Sequence, residues 1–127
     1  MSIQEIAEAY SQAWSSGNPE AVVSFYRDDG KIIINRGEPI EGRAALLDMV
    51  SGFYGEFPGL TVRLEHLRIA GDHVMFGWVL EGKHAETGNQ VAVPGWEEWD
   101  LDENLKVKTS LGWFDSVEYE RQIREGV

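Results

Sequence analysis

The segment Trp96-Glu97-Glu98-Trp99-Asp100 sets two adjacent carboxyl groups among indoles. A carboxyl held against apolar walls loses hydration, so its pKa rises and it becomes able to move a proton near neutral pH, or to donate a hydrogen bond while protonated. Neighbours on a strand point to opposite faces, so only one of the two glutamates enters an interior. Glu97 shares its face with Trp99, and Glu98 shares with Trp96 and Asp100; parity alone does not choose between them. A third acid, Asp115, follows Trp113-Phe114 and precedes Glu118 by three residues. That spacing suits a helix N-cap, and the same position lets a carboxylate look along a cavity as a general base. Tyr10 and Trp14 lie one helical turn apart, and Tyr26 closes the next helical pattern. Their polar tips serve as donors to a bound carbonyl, or the rings simply pack. His84 shares the parity of Val74, Phe76, Trp78 and Leu80 if that strand continues through Gly82, which sets an imidazole near a cavity mouth.

Other chemistries lack their residues. The chain has no cysteine, which removes disulfides, thiolate nucleophiles and thiolate metal sites together. His66, His73 and His84 are not spaced as zinc ligands, and Asp100-Leu-Asp102-Glu-Asn104 lacks the glycine and closing glutamate of a calcium loop. No G-x-S-x-G and no glycine-rich phosphate loop is present. The expectation is a site without metal or cofactor. Eleven basic against 22 acidic residues give a formal charge of −11, which keeps the chain in solution, repels nucleic acid and anionic lipid, and would steer a cationic ligand. No apolar run approaches the length of a membrane span, and the start Met1-Ser2-Ile3-Gln4-Glu5 shows no secretory pattern, so a cytoplasmic location is expected.

These groups need a frame, and 127 residues with 43% apolar content allow one domain with a real core. Ser2 with Glu5 spells a capping box, and Ile3, Ile6, Ala7, Tyr10 and Trp14 make one apolar helical stripe. Asn18-Pro19 starts a second helix. Lys31-Ile32-Ile33-Ile34-Asn35 reads as a short buried strand, and Leu46, Leu47, Val50 and Phe53 or Tyr54 place a third helix from Arg43 to Gly55. From Leu60 the period becomes two. Strands are predicted from Leu60 to the Gly71-Asp72 turn, over Val74–Leu80, about Gln90 to Leu101, and about Lys106 to Phe114, with a short helix after Asp115. The fold class is α+β: a cone-shaped, strongly curved antiparallel sheet, three N-terminal helices and a short C-terminal one. Aromatic residues pointing into the cone, Trp14, Tyr26, Phe53, Trp78, Trp99 and Trp113, would line a mostly apolar pocket for a small hydrophobic ligand. Tryptophans on both faces of the sheet also leave an outer surface that a homodimer would cover.

This order of elements resembles the nuclear transport factor 2-like superfamily, which includes ketosteroid isomerases and SnoaL-like polyketide cyclases. Tyr10-x6-Gly17-Asn18-Pro19, Phe25-Tyr26-Arg27-Asp28-Asp29-Gly30 and Ile40-Glu41-Gly42-Arg43-Ala44-Ala45 are similar to its N-terminal signatures. Gly82-Lys83-His84 and Trp113-Phe114-Asp115 through Gln122 are similar to its SnoaL branch. The resemblance implies a cystatin-like roll. Tyr10 falls where ketosteroid isomerases keep an oxyanion tyrosine and Glu97 where they keep a protonated aspartate, while Ile34 or Asn35 occupies the place of their base. In SnoaL-like cyclases an aspartate entering the last helix is the base, and Asp115 matches that position. The implied activity is cofactor-free proton abstraction beside a carbonyl, with Asp115 as base and Tyr10, His84 or Glu97 stabilising the enolate. The alternative is a non-catalytic binding or association module of the same fold. Epoxide hydrolysis stands third, because no Asp-Arg-Asp constellation can be placed.

Overall fold

Ser2 and Glu5 open the first helix by bonding each other's backbone, Ser2 N–H to Glu5 Oε1 at 2.9 Å and Glu5 N–H to Ser2 Oγ at 3.1 Å. A computed structural model describes all residues from Met1 to Val127. Helix α1 (Ile3–Ser15) buries Ile6, Ala7, Tyr10 and Trp14 of the expected stripe together with Ser11 and Ala13, while Ile3 is half-buried. Helix α2 (Pro19–Val23) is capped by Asn18, whose side chain accepts from Glu20 N–H, with Pro19 in its first turn. It is a single short helix, and Tyr26 does not end it.

Tyr26 instead begins strand β1 (Tyr26–Ile34), earlier than the isoleucine run alone indicates. The reason is long-range: Val107 N–H donates to Phe25 O at 3.0 Å, and Tyr26 pairs in register with Val107. A two-residue strand β2 (Ile40–Glu41) then pairs with β1 before helix α3 (Arg43–Glu56). The remaining elements are β3 (Thr61–Ala70), β4 (His73–Lys83), β5 (Gln90–Leu101), β6 (Val107–Phe114) and α4 (Ser116–Glu125).

All six strands form one sheet in the order β2-β1-β6-β5-β4-β3. The β3-β4-β5-β6 meander is antiparallel as expected, but β1 lies parallel to β6, so the sheet is mixed. Hairpin signals report only strands adjacent in sequence, and this pair joins the two ends of the chain. Irregular registers interrupt β1/β6, β3/β4 and β5/β6, and such bulges bend a sheet. The concave side carries Ile32, Val74, Phe76, Leu80, Val91, Val93 and Trp99, all buried under the helices. α1 packs chiefly on β3, α2 on α3, and α4 on β5.

Helix α4 is tied down by one side chain. Buried Gln122 accepts from Ala92 N–H at 2.7 Å and donates to Ala92 O at 3.2 Å. Pairing with β6 begins only at Gly95, so Gln122 takes the place of a strand partner for the overhanging end of β5.

Candidate active site

Strand β5 alternates buried and outward residues, and the alternation settles the choice between adjacent acids: Glu97 faces inward and is 6% exposed, whereas Glu98 lies on the outer face. There Glu98 accepts from Trp113 Nε1–H at 2.6 Å. Glu97 is surrounded by donors. Its Oε1 lies 2.8 Å from Ser110 Oγ, 2.9 Å from Trp99 Nε1, 3.1 Å from Tyr10 OH and 3.3 Å from Tyr26 OH. Oε2 is approached by Tyr10 OH alone, at 3.2 Å, and keeps lone pairs to spare.

Each donor is positioned by its own element. Tyr10 descends from α1 and is clamped by edge contacts to Phe25, Phe76 and Trp99 with centroids 5.0–5.6 Å apart. Tyr26 heads β1, and Trp99 and Ser110 face each other across β5 and β6. Burial is the largest influence on Glu97 and raises its pKa above the ordinary 4.5, while the bonds from Trp99, Ser110, Tyr10 and Tyr26 pull it back by favouring the anion. Tyr10 and Tyr26 are both raised well above the usual phenol value, by burial first and by the Glu97 charge second. Both phenols therefore stay protonated and act as donors.

Glu97 forms part of the wall of a cavity of about 60 Å³. Its neighbours there are almost all apolar, with Trp14, Phe53, Trp78, Phe114 and Tyr119 as the aromatic walls and Ile32, Ile34 and Val62 among the aliphatic ones. A space of this size takes several waters or a small organic group. Tyr119 reaches it from α4 and gives its hydroxyl to Glu56 at 3.0 Å. Trp78 lies across β5 at Gly95: a Cβ there would fall 2.4 Å from Cζ2 and 2.5 Å from Cη2 of the indole, and 2.6 Å from Trp113 O. Its Nε1–H is shielded from solvent without any protein acceptor, the one buried side-chain polar atom in this state. Such an orphaned donor costs about 1–3 kcal/mol.

Of the sequence-derived candidates, the structure brings Glu97, Tyr10 and Tyr26 into one network and puts Trp14, Phe53 and Trp78 in the cavity wall. Trp99 is fully buried behind Glu97 as its hydrogen-bond donor rather than in the wall. Trp113 stacks on Trp96 on the outer face, with centroids 6.2 Å apart. His84 lies beyond the end of β4, packed on Phe57, with Nδ1 bonded to Thr87 in the following turn. It is not in the cavity wall. Asp115 is exposed, and its Oδ1 accepts from Val117 N–H at 3.0 Å and Glu118 N–H at 3.1 Å as the α4 N-cap. It too stands apart from the cavity wall. Sequence reasoning missed Ser110, the shortest contact to Glu97, and the unpartnered Trp78 N–H. Alternation from Gly112 would have turned Ser110 inward, whereas nothing local signals the second.

The family profile described as SnoaL-like domain matches residues 7–108. No functionally curated protein matches the chain. Among solved structures, the fold is similar to a protein from Jannaschia sp. CCS1 assigned by similarity as a SnoaL-like polyketide cyclase, with TM-score 0.84, 17% identity and coverage of 98% of this chain and 92% of that one. It is similar also to a ketosteroid isomerase-like hypothetical protein from Catenulispora acidiphila DSM 44928, bound to trimethylamine, with TM-score 0.81, 21% identity and coverage of 90% and 88%. A third similar structure is the epoxide hydrolase/cyclase-like enzyme SalBIII, described for pyran ring formation in the polyether salinomycin, with TM-score 0.80, 18% identity and coverage of 91% and 92%.

The close approach at Gly95 predicts that Gly95→Ala, which drives a methyl into the indole and the β6 backbone, destabilises the fold by about 1–3 kcal/mol in urea unfolding. Glu97 gives a pH signature. Because its pKa is raised on folding, the native state holds a proton that the unfolded chain has released, over a window opening near 4.5 and closing at the raised value. Stability falls as pH rises through that window. Unfolding measured from pH 4 to 8 should therefore show a falling component in the wild type that Glu97→Gln lacks.

Proposed function

Because the chain belongs to the SnoaL-like domain family, we propose that it is a cofactor-free acid/base enzyme of cyclase or isomerase type, acting on a small hydrophobic carbonyl compound with Glu97 as the proton-transfer group. The observation that carries this reading is a desolvated carboxyl in the wall of an apolar cavity, with Oε2 bonded only to Tyr10. Oε2 takes the proton from the carbon next to the carbonyl. The donors on Oε1 hold the carboxylate in place and limit how far burial lifts its pKa, so it ionises early enough to serve as a base. Aromatic walls exclude water and hold the ligand against Oε2. Asp115 belongs to this reading as the cap that starts α4 and so positions Tyr119.

A second reading, binding without turnover, is favoured by the same walls. Five aromatics around a buried carboxylate, in a chain of charge −11, suit a small amine through cation–π and ionic attraction. The Catenulispora acidiphila protein bound to trimethylamine fits that chemistry.

The outer sheet face is read as a homodimer interface. Trp96 is 42% exposed and stacks on Trp113, an apolar patch that a second copy would cover.

Exchange of α-hydrogens in small aryl ketones in D2O, followed by proton NMR, separates the readings. The wild type should accelerate exchange. Glu97→Gln should slow it by about 10²–10⁴-fold, and Asp115→Asn, which keeps a good cap, should leave it unchanged. Wild-type protein that binds trimethylamine and exchanges nothing would establish the second reading instead. For the interface, sedimentation equilibrium at micromolar concentration should give a dimer that Trp96→Glu converts to monomer; a monomeric wild type would exclude it.

A further inference from the structure

Gly112 lies on β6 in the cavity wall, and nothing in the surrounding backbone accounts for a glycine there. A glycine inside a strand gives up packing surface and costs conformational entropy on folding, so a strand keeps one where something comes too close for a side chain. Elsewhere in the sheet that reason is visible. A Cβ at Gly30 would stand 2.8 Å from Arg27 O, one at Gly77 3.0 Å from His66 Cβ, and one at Gly95 2.4 Å from Trp78 Cζ2. At Gly112 the nearest atoms to a Cβ would be Ile32 Cδ1 and Ile34 Cγ1, both at 3.6 Å, then Ile32 Cγ1 at 3.9 Å, which is ordinary contact. Nor is its φ positive, as it is at six other glycines. The position explains what the backbone does not. Gly112 pairs directly with Glu97 of β5 on one side and with Ile34 of β1 on the other. Directly opposed residues of an antiparallel pair share a face, with Cβ atoms about 5 Å apart, so residue 112 stands beside the carboxyl. The inward residues before and after it on β6 are Ser110, which bonds Glu97, and Phe114, which is in the wall. The space a side chain would take at 112 is therefore cavity, bounded by Ile32 and Ile34 and flanked by Glu97.

We propose that Gly112 is the specificity-determining residue of the cavity: the space over it receives a substituent on the ligand's α-carbon, so the site prefers carbonyl compounds with a substituted α-carbon to methyl ketones. The inference rests on the cavity being the ligand site of the proposed function, and it adds a substrate class to that reading. A ligand carbon over Gly112 touches Ile32 and Ile34 as a Cβ would, and the carbon bonded to it comes in front of Glu97, which removes the α-proton. The contacts that hold the substituent thus also aim the acidic C–H at the carboxylate. A side chain at 112 fills the same space and leaves the methyl ketone as the ligand that still fits.

The test uses two probes that differ by one methyl on the α-carbon, acetophenone and propiophenone, titrated by calorimetry into wild type and Gly112→Ala. Wild type should bind propiophenone about fourfold more tightly, the worth of one buried methylene. In Gly112→Ala the order should reverse, with propiophenone weakened by about tenfold or more and acetophenone by less than about threefold, because one added carbon overfills the space. The unliganded variant should unfold at a urea concentration no lower than wild type, since the new Cβ meets only ordinary contacts. In wild-type protein, whatever the variant does, the propiophenone methyl should show a nuclear Overhauser effect to the Ile32 δ1 methyl. An affinity ratio that the substitution leaves unchanged, a lowered urea midpoint, no Overhauser effect to Ile32, or failure of both ketones to bind overturns the proposal. A reversed ratio without α-hydrogen exchange in the wild type overturns the acid/base reading and leaves this one standing; exchange with an unchanged ratio does the reverse.

Discussion

Everything about the interior follows from one awkward group, a carboxyl withdrawn from water at Glu97. Isolated in an apolar core it would be neutralised by its own desolvation. The fold instead brings donors from α1, β1, β5 and β6 to the same two oxygens. That convergence ties α1 and β1, from the first part of the chain, to β5 and β6, from the last. The parallel β1/β6 pair is the backbone expression of the same requirement, since it sets Tyr26 close enough to bond Glu97. A network of this kind stabilises only when it is fully satisfied. Here each phenol, hydroxyl and indole around the carboxyl has found it, and the rings behind them are packed edge to face or stacked, Phe76 on Trp99 at 5.1 Å.

The cavity next to that carboxyl is lined almost entirely by apolar side chains. Glu97 is the one carboxyl in its lining, among aromatic and aliphatic side chains. The two sides of the sheet divide labour. The concave side concentrates Glu97 and its donors; the convex side carries Glu98, Asp100 and His73 in surface pairs beside Trp96 and Trp113. Those outer pairs are exposed, and their contribution to stability is small. The adjacent glutamates show how one strand position separates a group that can do chemistry from one that decorates a surface.

Much of the frame was legible because its signals are local. The Ser2/Glu5 box, the Asn18-Pro19 start, the Asp115 cap and the period-two run from Leu60 through Leu80 need only neighbours within a few residues, and all stand as expected. Tyr26 was misplaced because pairing with Val107, 81 residues away, overrides helical spacing. The site was read less well for the same reason. Indoles flank Glu97 and Glu98 alike, so alternation divided them without saying which side was inside. His84 would have faced the cavity had β4 run on, but the strand stops at Lys83 and the imidazole serves a turn. Asp115 has the spacing of a cap and of a base, and the geometry observed is that of the cap.

The paired bonds between Gln122 and Ala92 have a consequence for traffic. Tyr119 rides on the same helix and forms part of the cavity wall, so swinging α4 outward to admit a bulky guest would strip β5 of its makeshift neighbour. A naked strand margin is adhesive toward other chains. Opening the wall at α4 thus carries a hazard of self-association, which the Gln122 bonds hold off by keeping the helix against β5.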